Sequence, residues 1–176
     1  MSLKLVLYPN PILRKRAAPV ERIDQALRDR VAEMFEVMYN EGGIGLAAPQ
    51  VSWSQRIFVL NLEADPEEGE ERVYINPQIV SEEGDVTEEE GCLSIPEIRA
   101  DVTRAESVKV RAQGLDGAWF TEEADDLLAR ALQHENDHLD GILFIHRLRA
   151  TDKLLIKKDL KKLEQDARER SQTSRR

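Results

Sequence analysis

The sequence predicts an α+β fold. Antiparallel or mixed β-sheets pack around a central helix, with a second helix nearer the N-terminus and a third at the C-terminal end. Three observations lead there. Strand-like runs fall in two groups and do not alternate with helices, which argues against βαβ repetition. Only three segments have the makings of helices. No repeat or linker divides the 176 residues, a length that suits one domain with its own core.

The elements follow in order. Residues 3–20 read as extended or irregular, punctuated by Pro9, Pro11 and Pro19. The first helix opens on Asp24 as cap. It carries Leu27, Val31, Met34, Phe35 and Met38 on one face and ends at Asn40 and Gly42-Gly43. The small, apolar segment Gly43–Gln50 suits neither an exposed loop nor a regular helix. Strands are predicted at Arg56–Leu62 and Val73–Val80, with the acidic stretch Glu63–Glu71 a surface loop between them. A second acidic cluster, Ser81–Glu90, leads into Gly91-Cys92-Leu93-Ser94. Ser107–Ala112 alternates as a half-buried strand does, Gly114–Gly117 turns, and Ala118-Trp119-Phe120 returns. The central helix is predicted from near Thr121, with Glu122, Glu123, Asp125 and Asp126 at its start, where the helix dipole favours anions. It turns Leu127, Leu128, Ala131 and Leu132 inward and stops at Gly141. A charged helix spans 151–169, closing a single domain of residues 1–169. Residues 170–176 read as a disordered basic tail.

Composition narrows the function classes. Apolar runs such as Ile57–Leu60 are far short of the roughly 20 residues that span a bilayer. No apolar segment follows the start as in a secretory signal. Cys92 is the single cysteine, so no intrachain disulfide forms, and the chain reads as cytoplasmic. Membrane protein, collagen, coiled coil and disulfide scaffold are excluded. The net charge of −9 is unevenly spread: residues 147–176 hold 11 basic against 5 acidic side chains, and the remainder is strongly acidic. A basic end on an acidic body suits an anionic partner or a solvated helix.

The chemistry centres on Gln133-His134-Glu135-Asn136-Asp137-His138. In this His-Glu-x-x-His string the two imidazoles lie on one helix face and can share a metal ion. Glu135, one step round, can serve as general base without being a ligand. A catalytic site usually has three protein ligands. The candidates for the third are His146, Cys92 and Glu164. His146 falls two residues beyond the place where a third histidine would complete a metzincin-like string, and Phe144 occupies that place. Glu164 lies in the charged terminal helix. Cys92 is the better choice: Gly91 before it lets the backbone come close to another element, and a thiolate with two imidazoles suits Zn²⁺ or Fe²⁺. A Cys–His nucleophilic pair would leave Glu135 and the helical spacing without a role.

Three ordered stretches resemble the signature motifs of peptide deformylases of the bacterial type: Gly43-Ile44-Gly45-Leu46-Ala47-Ala48-Pro49-Gln50, Glu90-Gly91-Cys92-Leu93-Ser94 and Gln133 to Gly141. Tyr8–Arg14 and Ile95–Arg99 are also similar, so the resemblance runs from about residue 5 to residue 165. It implies a hydrolase that removes the formyl group from formyl-methionine on newly synthesised chains. It further implies Cys92, His134 and His138 as metal ligands, with a water in the fourth position, and Glu135 as the base that later protonates the departing amine. The side-chain amide of Gln50 and the backbone N–H of Leu93 are implied as donors to the oxyanion. Ile44, Leu127 and Ala131 are implied around the methionine side chain and the backbone of Ile44 and Gly45 against the substrate, with Glu90 in the substrate site or paired with Arg104 behind the cysteine. Glu88 departs from relatives that have an aliphatic residue four positions before the cysteine. The implied cofactor is one divalent ion, Fe²⁺ first, with Zn²⁺, Ni²⁺ or Co²⁺ also fitting the donors. The implied partners are formyl-methionyl nascent peptides and, through the basic C-terminal helix, the ribosome; no membrane is expected, and the protein is read as a monomer. The alternatives are a zinc endopeptidase of the His-Glu-x-x-His class and a non-catalytic ribosome-binding module with a structural metal.

Overall fold

The computed structural model describes residues 2–173. The α+β expectation holds. Helix α1 (Gln25–Asn40) begins where Asp24 accepts the Leu27 N–H at 3.0 Å, and it buries the five predicted apolar residues. Strands β1 (Gly45–Ala47), β2 (Ile57–Leu60), β3 (Arg72–Glu83), β6 (Ser107–Gln113) and β7 (Trp119–Asp125) form a sheet in the order β1-β2-β3-β6-β7. Strands β4 (Val86–Cys92) and β5 (Ile95–Arg104) form a separate hairpin. Every strand pair is antiparallel, and the mixed character is confined to a single parallel bridge between Ala18 and Gln55. Helix α2 (Asp126–Leu139) carries the two histidines, and helix α3 (Ala150–Thr173) closes the described chain.

The core explains this arrangement. Strand β2 is buried on both faces. Ile57 and Val59 join Val31, Met34 and Met38 of α1, while Phe58 and Leu60 join Ala129, Ala131 and Leu132 of α2. The pleat alone sends alternate side chains to two helices. A third cluster joins Ile95, Ile98 and Val102 of β5 to Tyr8, Leu13, Phe144 and Ile156, which seats α3 and the N-terminal arm on the hairpin. Tyr8 donates to Glu164 of α3 at 2.6 Å.

The structure departs from the expectations at four places. The central helix starts at Asp126, not near Thr121, because residues 119–125 pair residue for residue with β6. Glu122 and Glu123 are strand acids with partners on the same sheet: Arg72 and the Tyr74 hydroxyl of β3 reach Glu122 from beyond β6, and Lys109 of β6, directly opposite, pairs with Glu123. Such pairing outweighs helix propensity. Ser81–Glu90 is strand on both sides of Gly84, whose φ of +70° makes the turn. Leu127 does not face the core: it is 48% exposed and lines a cleft. The C-terminal helix extends through residues 170–173, which were expected to be disordered, and the rest of that expected tail lies outside the described residues. Among the described residues, no helix is long and apolar enough to cross a membrane.

Candidate active site

Two elements bring the sulfur and the nitrogens together. Helix α2 presents His134 and His138 one turn apart, with ring centroids 5.0 Å apart. The β4–β5 hairpin carries Cys92 at its bend, so that Sγ lies 3.4 Å from Nε2 of His138. The ligand atoms of Cys92, His134 and His138 all lie within 4.8 Å of one another. His146 stands apart on an exposed turn, where Nδ1 accepts the Leu143 N–H at 3.0 Å. Glu164 is occupied by Tyr8.

The surroundings push the two imidazoles in opposite directions. Burial disfavours a proton on His134, but hydrogen bonds to Cys92 and Glu90 outweigh it and raise its pKa. Burial, with the charge of His134, holds His138 neutral. Nδ1 of His138 is buried with no partner, as is Oε2 of Glu135. Burial raises the Glu135 carboxyl to about 7. Soft sulfur, two imidazoles and buried polar atoms without partners together fit a divalent transition metal.

Two further groups complete the site. Gln50 is buried on a short 3₁₀ turn, Ala48–Val51. The Ala47 N–H donates to its Oε1 at 2.8 Å, so its amide N–H₂ must point the other way, towards Ser94 Oγ at 3.1 Å and Cys92 Sγ at 3.6 Å. Gly45 lets β1 pass close to Glu135: a Cβ there would lie 2.6 Å from Oε1. Small residues in the Gly43–Gln50 segment are thus required by close approach.

An open cleft of about 580 Å³ leads to these groups. Ile44, Gly45, Gln50, Leu93, Leu127 and Ala131 all line it. Glu90 also borders the cleft, but its two oxygens are engaged by Arg104, Arg130 and Nδ1 of His134. The Glu90–Arg104 pair is no surface contact, since both side chains are at most 5% exposed. Although burial opposes it, donors from His134 and Arg104 hold the Glu90 carboxyl far below the usual carboxylate range. Glu88 turns towards Arg130 at 3.2 Å, and it is Arg130 that borders the cleft.

Sequence reading missed Arg130 and the parts Asp137 and Ser94 play around the site. A signal for Arg130 was present: an arginine inside Leu127–Leu132 is a charge in an apolar run, and a buried charge needs partners.

Fold and donor set define a class, a metal-dependent hydrolase built on a helical His-Glu-x-x-His with a cysteine beside it. The family profile described as polypeptide deformylase matches residues 2–154. The chain is 49% identical over 160 residues to a peptide deformylase of Acidobacterium capsulatum, covering 91% of this chain and 94% of that one. It is 51% identical over 160 residues to a peptide deformylase of Neisseria gonorrhoeae, covering 91% and 95%. Among solved structures, a plant peptide deformylase matches with a TM-score of 0.94 at 41% identity, covering 96% of this chain and 92% of that one. A Plasmodium falciparum peptide deformylase matches at 0.91 and 39%, covering 94% and 97%. The chain belongs to the polypeptide deformylase family. Its activity is removal of the formyl group from formyl-methionyl N-termini, and the endopeptidase alternative falls away.

Proposed function

We propose that Cys92, His134 and His138 hold one divalent metal ion and that Glu135 is the general base of deformylation. The observation that carries this reading is the meeting of one sulfur and two imidazoles within 4.8 Å, the cysteine 42 residues before the nearer histidine in the chain, beside a buried carboxylate. When bound, the ion supplies Lewis acidity to the formyl oxygen and makes a water easier to deprotonate. Glu135 takes the proton as water adds to the formyl carbon. It returns that proton to the amine nitrogen as the C–N bond breaks and formate leaves. General acid–base work of this kind contributes roughly 10²–10⁴-fold.

Gln50 donates its amide N–H, and Leu93 its backbone N–H, to the charge growing on the formyl oxygen. Because Ala47 fixes the amide before the substrate arrives, little reorganisation is needed during reaction. Ile44, Leu127 and Ala131 receive the methionine side chain, with Gly45 beside the peptide. Glu90 acts through His134, since its oxygens are already engaged.

Fe²⁺ is the proposed resident metal, with Zn²⁺, Ni²⁺ and Co²⁺ accepted by the same donors. Elemental analysis of anaerobically purified protein tests it. The protein is proposed to act as a cytoplasmic monomer at the ribosome. In support, Lys153, Lys157, Lys158, Lys161 and Lys162 are exposed along α3. Phosphate contacts would give binding that weakens steeply with salt; co-sedimentation with ribosomes that is insensitive to salt overturns this part.

The decisive experiment is formate release from formyl-Met-Ala-Ser. Cys92→Ala is expected to abolish metal binding, and Glu135→Ala to keep the metal and lose turnover. Activity retained in the Glu135 variant removes the base assignment.

A further inference from the structure

Arg130 has no part in the chemistry assigned above, yet it is one of the most fully engaged side chains in the protein. It sits on α2 four residues before His134, hence on the same helix face, and its side chain is 6% exposed. Nη1 donates to Glu90 Oε1 at 2.7 Å and to the Val102 carbonyl at 3.0 Å. Nη2 donates to the Val86 carbonyl at 2.9 Å, and Nε to Glu88 at 3.2 Å. Its acceptors therefore come from both strands of the β4–β5 hairpin that carries Cys92.

Glu90 links this arginine to the donor group, because its Oε2 lies 2.9 Å from Nδ1 of His134. Arg104 also grips Glu90, but it is shared. Its Nη1 donates to Asp137 at 2.9 Å, and Asp137 is held as well by Arg147. Three guanidinium groups (Arg104, Arg130, Arg147) thus face three carboxylates (Glu88, Glu90, Asp137). Without Arg130, one carboxylate in this largely buried cluster is in excess, and Glu90 loses its tie to the backbone of β4 and β5.

We propose that Arg130 is a positioning residue for His134: by pinning Glu90 to the hairpin, it keeps the His134 proton on Nδ1 and aims Nε2 at the place shared with Cys92 and His138. This rests on the metal-site reading above. The orientation of a ligating imidazole is set by what its other nitrogen binds. Glu88 then has a role as well. It anchors the outer side of the Arg130 guanidinium, where an aliphatic residue would leave that N–H unpaired.

The test uses the full chain loaded with one Co²⁺. Arg130→Met keeps length and apolar stem while removing all four hydrogen bonds. Metal loss to excess chelator is expected to speed up about 10–100-fold, with altered visible Co²⁺ bands. For formyl-Met-Ala-Ser, kcat is expected to fall while KM stays within about threefold. Glu88→Gln, at an exposed partner, is expected to change metal loss by less than about fivefold. A folded Arg130→Met that keeps the parent's metal-loss rate and spectrum overturns the proposal. Should that variant not fold, Arg130→Lys carries the same test: its ammonium can reach Glu90 but cannot hold both strand carbonyls, and parent-like metal loss again overturns it. Cys92→Ala, measured alongside, separates the two readings. If it binds Co²⁺ as tightly as the parent, the metal site is wrongly assigned; if it loses Co²⁺ while the Arg130 variants do not, only the present proposal fails.

Discussion

Gly45→Ala tests the close approach of β1 to the proposed base. An added Cβ would lie 2.6 Å from Glu135 Oε1 and 2.7 Å from Leu60 Cδ2, where ordinary contact begins at 3.4 Å. Both neighbours, or the strand itself, must therefore give by about 0.8 Å, and a misplacement near 1 Å at a reacting centre costs about 100-fold. Leu60 has little room to yield, being fully buried between β1 and β3. The carboxylate is the freer neighbour, with one oxygen that has no partner. The expected result is a kcat lower by about 10²-fold, or about 2.7 kcal/mol in the barrier. Metal content should stay at one ion per chain, because none of the proposed ligands is in the contact. Saturating formate-release assays, elemental analysis and thermal unfolding together isolate the effect. Gly43→Ala is the internal control. The three atoms nearest its Cβ all belong to the side chain of Leu93, whose tip can rotate away, so kcat should fall far less. A fully loaded Gly45→Ala with kcat within about threefold of the parent would refute the reasoning.

Gln50→Ala should lower kcat by about 10²–10³-fold with the metal retained, as loss of one preset oxyanion donor does; a loss confined to KM contradicts the assignment. Arg104→Ala leaves Glu90 and Asp137 short of their shared cation, and breaking such a buried pair should cost about 3–5 kcal/mol in denaturant unfolding. Gly141→Ala places a side chain at φ +73° and 2.5 Å from the carbonyl oxygen of Arg14. Left-handed strain and overpacking together should cost about 2–5 kcal/mol, and a midpoint equal to the parent's would count against the close packing of the N-terminal arm on the end of α2.

Much of the site was legible from residue spacing. His134, Glu135 and His138 announce themselves because a helix of 3.6 residues per turn puts i and i+4 on one face, whatever the rest of the chain does. The apolar period of α1 and its Asp24 cap are local in the same way, and they form as expected. Trp119 and Phe120 return as a strand as expected, but residues 121–125 were not legible. Their acids suit a helix start, and only the partners Arg72, Tyr74 and Lys109, distant in sequence, make them strand. Strand β5 gave no clean alternation either, because Pro96 and the positive φ of Glu97 break its rhythm near the bend.

The sequence by itself determined which atoms are available for chemistry: one thiol, a helical pair of imidazoles, and a carboxylate between them. Only the tertiary structure decided that the thiol folds back to those imidazoles, which way the Gln50 amide points, and that Glu90 lies under two arginines. The physical reason is range. Helical spacing is fixed by bonds along the chain. The partners of a buried charge are fixed by whichever strands and helices the core brings together, and no local pattern encodes that choice.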